Sequence, residues 1–93
     1  MRTRTDPELI LRAVCRRLRA EGARVSVYLA SETNGVATGR WRGVTDHIGL
    51  MLIGIERRIY VNVGESVSHV SVDEDDAVEA IVEAVRSGVG HGV

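Results

Sequence analysis

The amino-acid sequence predicts an α+β fold, a two-layer sandwich in which two helices pack on one face of an antiparallel sheet. Three observations predict it. Apolar residues recur at helical spacing near both ends of the chain, and the stretch between them, residues 24–72, mostly alternates apolar with polar residues. The length of 93 residues fits a single core. We therefore predict one domain, residues 1–93, in the order helix, meander of four to five strands, helix.

The first helix is predicted over residues 6–22. Asp6 suits the position that caps free amide groups, Pro7 suits the first helical turn, and Gly22 suits the stop. Apolar residues that recur one turn apart form a stripe for the core: Leu11, Val14, Cys15 and Leu18. Arginines follow helical spacing on the polar side and form a candidate interaction surface: Arg12, Arg16 and Arg19.

The sheet is predicted within residues 24–72. Period-two alternation indicates strands over residues 24–30 and 59–63, and after a turn at residues 64–65 the sheet is expected to continue through Val70 and Val72. A strand over about residues 36–42 has weaker support because it contains glycine. The run Ile48–Ile55 lacks alternation, so we predict a central strand whose two faces are both covered, by the protein or by a partner.

Two helices on one sheet face leave nothing in so short a chain to cover the other face. Apolar residues on that second face, with Met51 as the candidate, are therefore expected to be exposed or buried by a second copy of the chain.

The second helix is predicted over residues 73–87, with a loose tail over residues 88–93. Asp73 suits the cap, the acidic residues 74–76 suit the positive end of the helix dipole, and Gly88 suits the stop. The apolar stripe of this helix is formed by Val78, Ile81, Val82 and Val85. Two acidic residues one turn apart are expected to face Arg12 and Arg16 of the first helix or of a second subunit: Glu79 and Glu83.

Composition and charge exclude several classes of protein. Charged residues make up 27% of the chain, and the longest apolar run is far shorter than the about 20 residues of a membrane span, so neither a disordered chain nor a membrane protein is expected. One cysteine and no signal-peptide pattern predict a cytoplasmic protein. The net charge of -1 hides a strong asymmetry: residues 1–24 hold seven arginines and three acids, and residues 64–93 hold seven acids and one arginine.

No pattern in the sequence points to a specific chemistry, so we predict no enzyme, no metal site and no cofactor. The histidines are not spaced as zinc ligands, and the only thiol, Cys15, lies within a helix. Asp46 with His47, and two serines near His69, supply the residue types of a hydrolytic triad, but such a site also requires a pocket. Glycines at positions 35, 39 and 43 lack the lysine of a phosphate-binding loop and are interpreted as loop and bulge positions.

The segment Arg40-Trp41-Arg42 is the most suggestive short motif. Tryptophan and arginine are enriched among binding hot spots, and guanidinium groups stack on aromatic rings. The alternative is structural: Trp41 covers one end of the aliphatic core while Arg40 and Arg42 face water.

Two functions follow as expectations. The leading one is a non-enzymatic protein-interaction or regulatory module that acts as a homodimer, through the uncovered sheet face or a strand edge, and that binds a further protein. The alternative is a nucleic-acid-binding protein that uses the arginines of the first helix and the Arg40-Trp41-Arg42 loop, although a pI near 6.3 restrains this reading. No membrane partner is predicted.

Overall fold

The computed structural model describes residues 6–31, 34–41 and 46–90. Its elements are helix α1 (Pro7–Ala20), strands β1 (Ala23–Leu29), β2 (Gly35–Trp41), β3 (His47–Ile53), β4 (Arg58–Val63) and β5 (Ser66–Ser71), and helix α2 (Ala77–Gly90). The strands form one antiparallel sheet in the order β1-β2-β3-β4-β5. Both helices pack on the same face of this sheet, so the predicted α+β two-layer sandwich is confirmed.

Helix α1 begins and ends where its local sequence predicts. The Asp6 carboxylate accepts a hydrogen bond from the Glu8 amide at 3.0 Å, which satisfies one of the free donors of the first turn. At the other end Gly22 takes the left-handed φ of 101°, a conformation that glycine adopts without strain. The helix therefore occupies nearly the whole of the predicted span of residues 6–22.

The core lies between the helices and the sheet and is almost wholly aliphatic. Helix α1 contributes the predicted stripe, and the strands contribute alternate residues, as expected for a sheet with one buried face. The largest fully buried side chains include, from the helices, Leu11, Leu18 and Ile81, and from the strands, Ile48, Leu50, Leu52 and Ile59.

Strand β3 is central, as predicted, but only one of its faces is covered. The strand ends at Ile53, and the next four residues form the turn to β4. Ile55, which the sequence placed in the strand, is 93% exposed in that turn. The apolar run therefore joins a strand to a turn, and its missing alternation does not mean that both faces are buried.

Helix α2 begins four residues later than predicted and continues beyond the predicted stop. The acidic segment, residues 73–76, forms turns before the helix, because Asp76 takes a left-handed φ of 56° and Asp73 is bound by Arg57 at 2.7 Å. Gly88 lies inside the helix rather than after it, and residues 88–90 are helical instead of a loose tail. Residues 91–93 lie outside the described part of the chain.

Candidate functional site: the open sheet face

The face of the sheet that points away from the helices, here called the open face, has no layer over it in the described structure. Antiparallel register aligns its side chains in rows that cross the strands. The aromatic row crosses all five strands and contains Tyr28, Val36, Met51, Tyr60 and His69. The polar row beside it contains Ser26, Thr38, Gly49, Asn62 and Val67. The arginine row, at the end of the sheet, contains Arg24, Arg40 and His47.

The aromatic row is well exposed. Tyr28 is 70% exposed, and Met51, the residue expected on this face, is 42% exposed in the single chain. The Tyr60 and His69 rings lie with centroids 5.6 Å apart and planes tilted by 54°. The Tyr60 hydroxyl donates to the Glu56 carboxylate, which holds this ring in place on the sheet.

The arginine row joins two cationic side chains and an imidazole. Arg40 Nη2 lies 2.7 Å from His47 Nε2. A guanidinium can only donate, so His47 Nε2 is the acceptor of this contact. Arg24 lies opposite Arg40 in the register and is exposed. Arg58, exposed at the other end of the sheet, adds a third guanidinium to the open face.

The open face carries cations and no acid among the strand residues that the structure describes. Outward positions of the five strands hold three arginines, Arg24, Arg40 and Arg58, and no aspartate or glutamate. Acidic side chains occur only beyond the strands, with Asp46 just before β3 and Glu56 in the turn after it. A chain of net charge -1 therefore has one distinctly positive surface.

A shallow depression of about 480 Å³ lies on the open face over β3. Gly49 forms its floor, because a glycine in the central strand leaves a gap between Thr38 and Asn62 on the neighbouring strands. Asp46 and His47 line the same depression. Four side chains with hydrogen-bond donors or acceptors therefore border the depression, together with Ile48 and two glycines.

The arginines of α1 are mostly engaged within the chain. Arg12 pairs with Glu8 at 2.9 Å, and Arg19 donates from Nε and Nη2 to the Val25 carbonyl at 3.0 and 2.8 Å. Arg16 is exposed and has no ion-pair partner in the described residues. The row of guanidinium groups expected on this helix is thus reduced to one free member.

The two helices are joined by ion pairs, but not by the predicted ones. Arg17, and neither Arg12 nor Arg16, reaches Glu79 at 2.9 Å. Glu83 pairs with Arg86 of its own helix at 2.9 Å. Helix α1 turns the Arg17 side of its surface towards α2, which the stripe of core residues did not reveal.

Arg86 ties the end of α1 to α2. It donates to Glu21 with atoms 2.6 Å apart, and these hydrogen bonds hold the pKa of Glu21 below its ordinary value. The hydrogen bond from Arg17 lowers the pKa of Glu79 in the same way. Two ion pairs, Arg17 with Glu79 and Arg86 with Glu21, therefore link the two ends of the chain inside one molecule.

Trp41 has the structural role that the sequence left as an alternative. It is half-buried against the core, and its indole Nε1 donates to the Glu21 carbonyl at 2.9 Å. This hydrogen bond holds the ring against the end of the core beside α1. Arg40 lies on the open face, and Arg42 lies outside the described residues.

The cysteine and the described histidines lie on different elements, Cys15 on α1, His47 on β3 and His69 on β5. No group of three or more His, Cys, Asp or Glu residues in the described part of the chain could hold a metal ion. His69 lies on the exposed sheet face against Tyr60, and burial raises the pKa of the Cys15 thiol, which keeps it protonated and unreactive. In the same part of the chain no helix has the length and apolar character needed to cross a bilayer.

Comparisons of the chain with protein-family models, with curated proteins and with solved structures find no match. The functional argument therefore depends on the surfaces themselves. Sequence reasoning named Arg40 and Met51 but missed the other outward residues that share their rows, Arg24, Tyr28, Arg58, Tyr60 and His69. The alternation within each strand indicated their common face, but the rows required the register between strands.

Proposed function

We propose that the protein is a non-enzymatic interaction module that acts as a homodimer in the cytoplasm, with two copies joined along strand β5. The observation that carries the proposal is the unguarded edge of this strand. β5 is last in the sheet order, so its outer side faces no further strand in the described structure. The single cysteine, which cannot form an internal disulfide, supports the cytoplasmic part of the proposal.

The composition of β5 favours pairing with another strand. Its six residues, Ser66–Ser71, include no proline and no Asp, Glu, Lys or Arg. Charged residues and prolines on an edge strand prevent its pairing with another chain. An edge that has neither can pair with a strand of a second molecule. Val67, 72% exposed on this strand, adds an apolar side chain to the same edge.

The opposite edge of the sheet is guarded. Arg19 donates twice to the Val25 carbonyl of β1, and Arg24 places a charge on the same strand. These arginines disfavour pairing of two β1 strands, because a second copy would bring like charges together. Because β1 carries Arg24 and β5 has no Asp, Glu, Lys or Arg, we place the proposed dimer contact at β5.

Charge also disfavours a dimer stacked through the open face. Such an arrangement would bring together two surfaces that each carry Arg24, Arg40 and Arg58 with no acid among the described strand residues. Pairing at β5 instead extends two sheets into one and leaves both open faces accessible. Antiparallel pairing of β5 with its own copy is isologous, so association closes at the dimer.

The dimer is expected to be weak and reversible. An interface made from one strand edge buries no more than about 1,200 Å² in total, which is typical of transient association. Sedimentation velocity over a wide range of protein concentration is therefore the appropriate measurement, and it should show a monomer–dimer equilibrium.

Two variants with the same new charge distinguish the edge from the face. Val67→Lys places a cation on β5, the strand at which the two copies meet in the proposed dimer, and should raise the dissociation constant about tenfold or more. Met51→Lys places the same cation on the central strand β3, two strands away from β5, and should leave dimerisation unchanged. A wild-type protein that stays monomeric at every concentration would overturn the proposal. Loss of the dimer in Met51→Lys would also overturn it, because the open face would then form the contact.

A further inference from the structure

We propose that the open face binds single-stranded nucleic acid. The inference goes beyond the interaction module described above and is independent of its dimerisation, because each protomer carries a complete open face. Cations, aromatic rings and small polar groups occur together on this face. In a single strand, phosphates bind cations, base faces stack on aromatic rings, and base edges form hydrogen bonds with polar groups.

The phosphate contacts come from guanidinium groups at both ends of the strands. Arg24 and Arg40 lie side by side in the arginine row, and Arg58 lies at the other end of the face. None of the three faces an acid on the described strands, in contrast to Arg12, Arg17 and Arg86 of the helical layer, which are all engaged in ion pairs. Three cations without an acidic neighbour on the described strands are therefore gathered on one face of the sheet, and the phosphate backbone is expected to follow them.

The base contacts come from the aromatic row. The Tyr28 ring is 70% exposed, and the Tyr60–His69 pair presents a second pair of rings across the sheet. Three strand spacings separate Tyr28 from Tyr60 in the register, roughly 14 Å. Two stacking positions at that separation suit bases that are several nucleotides apart on one strand.

The polar row lies between the arginines and the rings. The hydroxyl of Thr38 and the amide of Asn62 flank the depression of about 480 Å³ above Gly49. The space accommodates a planar base, and the two side chains offer hydrogen bonds to its edge. The arginine row, the polar row and the aromatic row thus lie side by side, and we expect them to contact the phosphates, the base edges and the base faces respectively.

An acidic polypeptide would use the arginines but not the rings, because a chain of carboxylates has no aromatic face to stack. A duplex would likewise leave Tyr28 without a partner, because the bases of a duplex are stacked in its interior. Both helices lie on the other face of the sheet, so neither can enter a groove from the open face. The combination of exposed rings with arginines is the observation that favours a single strand over both.

The test is fluorescence anisotropy with labelled oligouridine and oligothymidine of about twelve nucleotides each, a length within the range of known single-strand sites. Binding of either probe is expected, with a salt dependence set by the three arginines. The slope of log K against log salt should be about −2, so affinity should fall about 20-fold between about 50 and about 200 mM salt.

Two matched pairs of arginine substitutions locate the site. Arg24→Gln with Arg40→Gln removes two charges from the open face and should reduce the salt slope to about −0.7. Arg12→Gln with Arg16→Gln removes two charges from α1 on the opposite layer and should leave both slope and affinity unchanged. Circular dichroism melts of each variant confirm that the fold is retained.

Two single substitutions test the base contacts and the charge beside the depression. Tyr28→Ala removes the exposed ring and should weaken binding about tenfold. Asp46→Asn removes the acid that lines the depression and should tighten binding, because repulsion of the phosphates is lost.

Three outcomes would overturn the proposal. The first is no binding of either probe at low salt. The second is loss of binding in the α1 double variant but not in the open-face double variant. The third is unchanged binding in Tyr28→Ala together with equally effective competition by polyglutamate, which would assign the face to an acidic polypeptide. A failed dimer leaves all three outcomes interpretable, since the measurements report on one protomer's face.

Discussion

Gly39 and Gly49 lie on neighbouring strands, face opposite layers of the molecule and tolerate a side chain very differently. A Cβ added at Gly39 would lie 1.8 Å from the Arg24 carbonyl oxygen, so the backbone of β1 would have to move. A Cβ added at Gly49 would meet only Asn62, at 3.7 and 3.8 Å, which is ordinary contact. From the sequence alone, Gly39 is interpreted as a bulge or loop position. In the structure it lies within β2 and permits the close approach of β1.

We predict that Gly39→Ala lowers the free energy of unfolding by about 1–3 kcal/mol, the range for overpacked sites that cannot relax cheaply. Gly49→Ala, the matched control, should change it by no more than about 0.5 kcal/mol, as at open surface positions. Urea denaturation of the two variants beside the wild type measures the difference. Equal stability of the two variants would contradict the account of Gly39.

Helix α2 shows at the scale of one element why a glycine is not always a stop signal. Gly88 is buried within the helix, and a Cβ there would lie 2.7 Å from the Val63 Cβ of β4. Because that Cβ is attached directly to the backbone of a strand, no rotamer change can move it away. Gly88 therefore allows the last turn of α2 to pack on the sheet, and packing maintains a helix that local propensity would end.

Gly88→Ala sets two effects against each other. Alanine gains about 1 kcal/mol of helix propensity over glycine, but overpacking against Val63 costs about 1–3 kcal/mol. We predict a net loss of stability in thermal denaturation monitored by circular dichroism. The neighbouring exposed Ser87→Ala should instead gain a few tenths of a kcal/mol, since only propensity changes there. A stabilised Gly88→Ala would show that α2 does not pack as described.

Charge organises the whole molecule into two different layers. The helical layer holds ion pairs that link α1 to α2, Arg17 with Glu79 and Arg86 with Glu21. The open face holds arginines without acids on its described strands. Because the net charge is -1 and the open face is cationic, the rest of the chain carries a net negative charge, and the open face is the surface that suits an anionic partner.

The ion pairs between the helices predict acid sensitivity. Arginine lowers the pKa of Glu21 and of Glu79 below the ordinary value of 4.5. The unfolded chain therefore binds protons before the folded chain does, so the stabilising contribution is complete above about pH 5 and is lost as pH falls through the lowered pKa values. Urea denaturation at about pH 7 and at about pH 3.5 should show this loss.

Glu21→Gln should reduce the acid-dependent part of the stability. Glu65→Gln removes the same charge from the exposed turn between β4 and β5 and serves as the control, with the wild-type pH dependence expected. Identical pH dependence of Glu21→Gln and wild type would show that the pair with Arg86 contributes nothing to folding.

Much of the fold is predictable because its signals are local. The i, i+3, i+4 stripe of α1, the Asp6 cap and Gly22 are read from neighbouring residues, and these features appear in the structure where expected. The alternation in β4 likewise identifies its buried residues. Residues that are close in sequence determine helical or extended backbone, so the order of the elements and the apolar face of each follow from the sequence.

Only the tertiary structure decided which residues of different elements meet. Arg17 rather than Arg16 reaches Glu79, and Gly88 continues a helix instead of ending it. The sequence by itself determined the two-layer architecture and the uncovered face that includes Met51. The rows of arginine, polar and aromatic side chains on that face came from the register of five strands, because pairing between distant segments depends on packing over the whole core and leaves no periodic signal in any one of them.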